Sequence, residues 1–139
     1  MRRRVTGWTC ASALLTALLV SGASGQGAVD PQQLVGTWVG VWTFELPARD
    51  RVSAPYELTI TSVEGAQVVG RTFSGGTRGR DERTTFPEGK IELGGKLDGN
   101  RLTYGSGITL TELSIDGDRM EGTRAGRGTT PIKILLKKK

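Results

Sequence analysis

The sequence predicts an all-β domain: a single eight-stranded antiparallel up-and-down barrel behind an N-terminal signal peptide. Three observations predict it. Beyond Gly36, short runs rich in Val, Ile, Thr and Tyr recur, and none carries the spacing of an apolar helical face. Glycine, 21 of 139 residues, punctuates those runs. Acid–glycine steps join several of them, in VEGAQVVG (Val63–Gly70), LDGNRLTYG (Leu97–Gly105) and IDGDRMEG (Ile115–Gly122). Glycine in such a step supplies the positive φ that tight hairpin turns demand. Eight consecutive strands with mostly short connections make a meander, and closing it removes the exposed edges.

The elements follow in chain order. MRRRVTGWTCASALLTALLVSGASG has a basic start (Arg2, Arg3, Arg4), a short apolar run from Ala11 to Val20, and small residues from Ser21 to Gly25. That order is the pattern of a secretory signal peptide, and the run is shorter than the ~20 residues a spanning helix needs. Residues 1–25 are therefore expected to be cleaved, leaving a short N-terminal segment, 26–36, and a barrel domain, 37–139. Three of the net +5 charges leave with the leader, and so does Cys10. The exported chain would be mildly basic and would rely on packing and strand pairing rather than disulfides. Its tail, Lys137 to Lys139, reads as a solvated end.

Asp30-Pro31 suits the start of a short helical turn, with Asp30 as its cap and Pro31 in its first position. The eight strands are expected at Thr37–Leu46, Tyr56–Val63, Gln67–Phe73, Lys90–Leu97, Arg101–Ser106, Ile108–Ile115, Arg119–Arg124 and Thr130–Leu136. Side chains alternate faces along a strand. The inward face of the first strand reads as Trp38, Gly40, Trp42 and Phe44, and that of the second as Tyr56, Leu58 and Ile60. Ile91 with Leu93, Leu102 with Tyr104, and Ile132 with Ile134 and Leu136 continue the interior. In the sixth strand Ile108 and Leu110 keep one parity while Leu113 and Ile115 keep the other, so a bulge near Thr111 and Glu112 is expected. In the third, either Phe73 and Arg71 face inward or Val68 does. The cost of burying an unpaired charge favours Val68. Leu58–Thr72 also resembles Leu110–Arg124, either as an old duplication or as two hairpins obeying the same rules. Ser74–Gly89 is the one long connection, a lid or recognition loop in one reading and a mixed-charge excursion in the other.

DPQQLVGTWVG carries a family resemblance. A helical turn followed by Gly36-Thr37-Trp38 at the head of the first strand resembles the Gly-x-Trp signature of the lipocalins and their calycin relatives, which include the avidins and fatty-acid-binding proteins. The resemblance implies that Trp38 closes the floor of the barrel, that Gly36 makes the tight start of the strand, and that the other end opens on a ligand cavity. In lipocalins an arginine near the last strand packs on that tryptophan, and the resemblance offers Arg124 or Arg127 for the role. The avidins' biotin-contacting set is not recognisable.

The residue inventory narrows the chemistry. The chain has no histidine, and its one cysteine lies in the leader. That removes Ser-His-Asp and Cys-His catalysis and the usual zinc sites. Glu88, Glu92 and Asp98 could supply paired carboxylates, but they fall in turns or on an outer face, where charged residues are ordinarily solvated. GGTRGR (Gly75–Arg80) opens no helix, and GKIELGGKL lacks the Lys-Ser/Thr ending of a phosphate-binding loop. No cofactor and no metal is expected. The reading is an exported, non-catalytic binding barrel, secreted or periplasmic, holding a small apolar or amphiphilic ligand against Trp42, Phe44, Tyr56, Leu58 and Tyr104. Gly36 and Trp38 are structural. The alternative is an envelope interaction or inhibitor protein that works through its loops over a filled interior. In both, the partner is a small hydrophobic ligand or an envelope protein, with no nucleic acid and no stable membrane insertion once the signal is cleaved.

Overall fold

The computed structural model describes residues 27–46, 51–78, 85–86 and 88–139. The expected signal peptide and Cys10 lie outside these residues. A one-turn helix, α1 (Pro31–Leu34), precedes ten strands: β1 (Gly36–Glu45), β2 (Arg51–Glu64), β3 (Gln67–Ser74), β4 (Thr77–Arg78), β5 (Thr85–Phe86), β6 (Gly89–Asp98), β7 (Arg101–Ser106), β8 (Thr109–Asp116), β9 (Arg119–Gly126) and β10 (Ile132–Lys138). Eight of them close a barrel in the order β1, β10, β9, β8, β7, β6, β3, β2, every neighbour antiparallel. The eight expected strands match these eight, with β2 longer at its start. The segment expected as one long loop, Ser74–Gly89, also holds a small ladder in which Thr77 pairs with Phe86 and Arg78 with Thr85.

The turn chemistry explains the meander. Glu64 to Gln67, Asp98 to Arg101 and Asp116 to Arg119 are two-residue connections, opening on Gly65, Gly99 and Gly117 with φ of 59°, 59° and 57°. Only glycine occupies that region without steric cost. A fourth, Gly107-Ile108, joins β7 to β8 with Gly107 at φ 56°. The three acid–glycine turns lie at the same end of the barrel as α1. The connections β1–β2, β3–β6, β7–β8 and β9–β10 lie at the other end.

The α1 end is the packed floor. Asp30 caps the helix by accepting a hydrogen bond from the Gln32 amide at 3.0 Å, and Pro31 stands at its first position. Leu34, Trp38, Leu58, Ile60, Val68, Leu102, Leu113 and Met120 are buried there almost completely. The Trp38 indole N–H donates to the Leu34 carbonyl at 3.0 Å, so the ring is held from the helix side. Gly36, at φ 130°, makes the tight start of β1. The cation over Trp38 is neither Arg124 nor Arg127. It is Lys138 of β10, whose Nζ lies 5.6 Å from the ring centroid and also donates to the Gln33 carbonyl.

Two expectations about the walls change. The bulge near Thr111 and Glu112 is absent. The β8–β9 register runs unbroken from Thr109↔Gly126 to Asp116↔Arg119, with Thr111 buried and Leu110 and Ile108 facing outward, 49% and 78% exposed. Solvent there tolerates two aliphatic side chains more cheaply than the ladder tolerates an interruption. The bulge is in β2 instead, where the register shifts between Ile60 and Ser62 and Thr61 is the extra residue. A bulge leaves ladder groups unpaired, and the Thr61 hydroxyl meets one of them by donating to the Val69 carbonyl at 3.0 Å. The same bulge separates the two similar hairpins. Val63 and Val68 match Ile115 and Met120 as buried pairs below it, whereas above it Leu58 is buried and its counterpart Leu110 is exposed. In β3, Val68 faces inward and Arg71 is exposed, as the cost of a lone buried charge requires.

Candidate functional site

Above the floor the interior opens. A cavity of about 300 Å³ lies at the end opposite α1, lined by Trp42 of β1, Tyr56 of β2, Thr72 and Ser74 of β3, Glu88, Gly89 and Ile91 at the head of β6, Arg124 of β9, and Ile132 and Ile134 of β10. Strand parity puts them together. Trp42 shares its face with Trp38, Tyr56 with Leu58, Thr72 with Val68, and Arg124 with Met120. The same alternation that fills the floor therefore delivers mixed apolar and polar side chains to the open end. Ile91 keeps the inward parity expected of it, yet it is 45% exposed because it stands at the rim.

The wall beside this cavity is incomplete. The β6–β7 ladder runs only from Asp98↔Arg101 to Gly95↔Tyr104. Gly89–Gly94 of β6 pair with β3 on one side and have no β7 partner on the other. β7 is short and turns back at Gly107 to pair with β8, so the two strands part above Tyr104. A small cavity of about 40 Å³ fills the resulting slit. It shares Tyr56, Thr72, Ile91 and Arg124 with the larger one and adds Glu92, Leu93, Gly94, Tyr104, Gly105, Thr109 and Thr111.

A polar cluster joins the two spaces. The Tyr56 and Tyr104 hydroxyls hydrogen-bond to each other at 2.9 Å in the buried interior. Register places Tyr104 opposite Thr111, Thr111 opposite Arg124, and Arg124 opposite Ile132. These four inward side chains form one cross-strand row, in which neighbours stand within contact range. Burial pushes the Tyr104 phenol well above its ordinary pKa, and the Tyr56 oxygen beside it adds to the rise. Arg124 and the Thr111 hydroxyl pull the other way without reversing it. The phenol therefore remains a neutral hydrogen-bond donor across the physiological range.

This yields a pH prediction. Above the ordinary tyrosine pKa of about 10, the unfolded chain releases the Tyr104 proton while the folded chain retains it. The unfolded state then binds fewer protons, so stability falls as pH rises through that window. The urea midpoint is expected to drop between about pH 9 and 11 more steeply in the wild type than in Tyr104→Phe. Equal slopes would mean that the phenol is not buried.

Of the residues expected to line a cavity, Trp42 and Tyr56 line the large one and Tyr104 the slit. Leu58 is fully buried in the floor. Phe44 packs against the core from the upper part of β1 and is not part of the lining. Arg124, Thr72, Thr111, Ile132 and Ile134 also face the two cavities, and of these the strand pattern assigns only Ile132 and Ile134 to the interior. Among the described residues no group of three His, Cys, Asp or Glu side chains could hold a metal ion. No family model matches the chain, and no curated protein matches it.

Proposed function

We propose that this protein is an exported, non-catalytic barrel that binds a small apolar or amphiphilic molecule at its open end. The observation that carries the reading is the cavity itself. At about 300 Å³ it sits at the small end of the usual range for ligand pockets, about 300–1,000 Å³. Trp42, Ile91, Ile132 and Ile134 give it an apolar side, and a few converging polar groups face them, which is the ordinary make-up of such a pocket. The interior is filled only at the floor, which favours a pocket over a protein that works through its loops alone.

Kinship with the lipocalins is part of the same proposal. Trp38 under α1 and a last-strand cation over its ring are the features that support it. Secretion or a periplasmic location rests on the leader pattern in residues 1–25. The outer wall carries charged side chains at mid-strand, among them Glu57, Arg71, Glu92, Glu112 and Lys133. A lipid-facing band would pay heavily for these, so the barrel is read as water-borne rather than membrane-spanning.

A native mass spectrum of the protein purified from its own source tests the reading. An added mass that vanishes on denaturation is the expected result. A bare chain that also fails to take up a neutral apolar dye, with Trp42 fluorescence unmoved, would overturn it.

A further inference from the structure

We infer that the ligand is an amphiphile with an oxyanion head, held by Arg124 and the tyrosine pair while its apolar part lies against Trp42, Ile132 and Ile134. This rests on the ligand-binding reading above and deepens it.

Three features of the site support it. First, Arg124 is an inward-facing cation with no counter-ion among the described residues. It is half-buried at the meeting of the two cavities, and among the described residues no carboxylate lies within ion-pair distance of it. Glu92, which borders the slit, sits on the opposite parity of β6, across from Arg71 of β3. Glu88 is exposed at the rim. A guanidinium in a partly dehydrated pocket attracts an anion more strongly than it would in water, and its fork of donors matches an oxyanion.

Second, the hydroxyl count favours an acceptor. Tyr56 and Tyr104 have two O–H protons, and the bond between them uses one. The other is available to the Thr111 hydroxyl beside Tyr104 or to an acceptor in the cavity. Tyr104 stays neutral, so it brings no negative charge to repel an anionic head. Arg124 and the hydroxyls of Tyr56, Tyr104 and Thr111 can donate to an anion's acceptor-only oxygens, whereas the guanidinium repels a cationic head.

Third, the row that carries these groups is polarised. It runs Tyr104, Thr111, Arg124, Ile132, from the slit toward the apolar side. The head is thereby placed at the slit, where the missing β6–β7 pairing leaves access to water. The tail is directed along β10 and β1. Keeping the head partly hydrated reduces the desolvation cost of burying its charge.

The test compares four probes on the purified full chain: decanoate, decyl sulfate, 1-decanol and decyltrimethylammonium. Binding is followed by calorimetry and by Trp42 fluorescence. At least one anionic probe is expected to bind about tenfold or more tightly than 1-decanol, as charge-assisted hydrogen bonds allow. The ammonium probe is expected to bind more weakly than the alcohol. Arg124→Gln is expected to abolish the anion preference, bringing decanoate and decyl sulfate to the level of 1-decanol on the same variant, and Arg124→Lys to restore part of it. If 1-decanol binds the wild type as tightly as both anions, the oxyanion head is overturned while the amphiphile reading stands. The same holds if Arg124→Gln weakens all probes alike. If none of the four binds, both fall. The wild-type comparison needs no variant, so it decides the matter even if Arg124→Gln does not fold.

Discussion

Trp38→Ala is expected to lower the stability of the barrel by about 3–5 kcal/mol, the range for large-to-small changes at fully buried aromatic sites. Trp38 has no exposed surface. Its ring fills the floor between β1 and β10, its N–H holds the Leu34 carbonyl, and Lys138 lies over its face. Truncation opens a cavity, frees the last carbonyl of a one-turn helix, and leaves Lys138 without its aromatic partner. A domain of this kind is stable by only about 5–15 kcal/mol, so the variant would stand close to unfolding at room temperature. Urea denaturation followed by circular dichroism measures the change. A midpoint equal to that of the wild type would show that Trp38 is not the keystone of the floor. Trp38→Phe is expected to recover most of the loss, because it keeps the ring and gives up only the hydrogen bond and some volume.

The parts of this structure that were legible in the sequence are those set by single residues. An acid followed by glycine between two β-like runs needs no tertiary information to become a hairpin turn. Gly65, Gly99 and Gly117, which all adopt the left-handed region, mark three corners of the barrel. The alternation that buries Trp38, Leu58, Leu102 and Ile134 was equally local. What failed depended on neighbours. Ile108-Thr109-Leu110 looked like the start of an inward face because the pattern does not say which of two aliphatic sets a barrel will bury. The buried parity is Thr111, Leu113 and Ile115, fixed by the ladder to β7 and β9. The bulge at Thr61 had a signal, the change of parity between Ile60 and Val63 within the expected strand Tyr56–Val63, but one aliphatic residue past the change is too little to fix a bulge.

The site was harder still. Arg124 follows Met120 and Gly122 on one face of β9, so its inward direction could be read by counting. The family resemblance offers it only as a partner for Trp38, which lies at the other end of the barrel. The tyrosine pair joins β2 to β7 across the interior, and no periodicity in one strand shows which distant strand will stand opposite it. Lys138, the cation that does cover Trp38, lies in a lysine tail that reads as a solvated end. Its position is set by the register Trp38↔Lys138 rather than by its local sequence.

Gly122→Ala is expected to cost about 3 kcal/mol or more, the upper part of the range for overpacking, although it adds a single methyl group. A β-carbon at Gly122 would lie 1.8 Å from the Glu112 carbonyl oxygen, which is backbone and cannot rotate away. The same holds at Gly40, 1.9 Å from the Leu135 oxygen, and at Gly70, 2.1 Å from that of Thr59. Gly40 and Gly70 could be taken as residues that merely leave the interior empty. The geometry gives them another role: they are the points where tightly coiled strands approach their neighbours too closely for any side chain. The next inward position above each is a residue that lines the cavity, Trp42 above Gly40, Thr72 above Gly70 and Arg124 above Gly122. These close approaches therefore fall where the filled floor gives way to the open end. Gly94→Ala is the control. It lies in β6 with ordinary φ and nothing within 4 Å of its added carbon, so its effect should stay within about 1 kcal/mol and can be stabilising through the unfolded chain. Urea midpoints of the two variants, measured side by side, separate the accounts. A large loss at Gly122 with none at Gly94 supports close strand approach, and equal effects would mean that the strands do not approach closely at Gly122. Because Gly122 is the next inward position below Arg124, its alanine variant should also weaken anion binding.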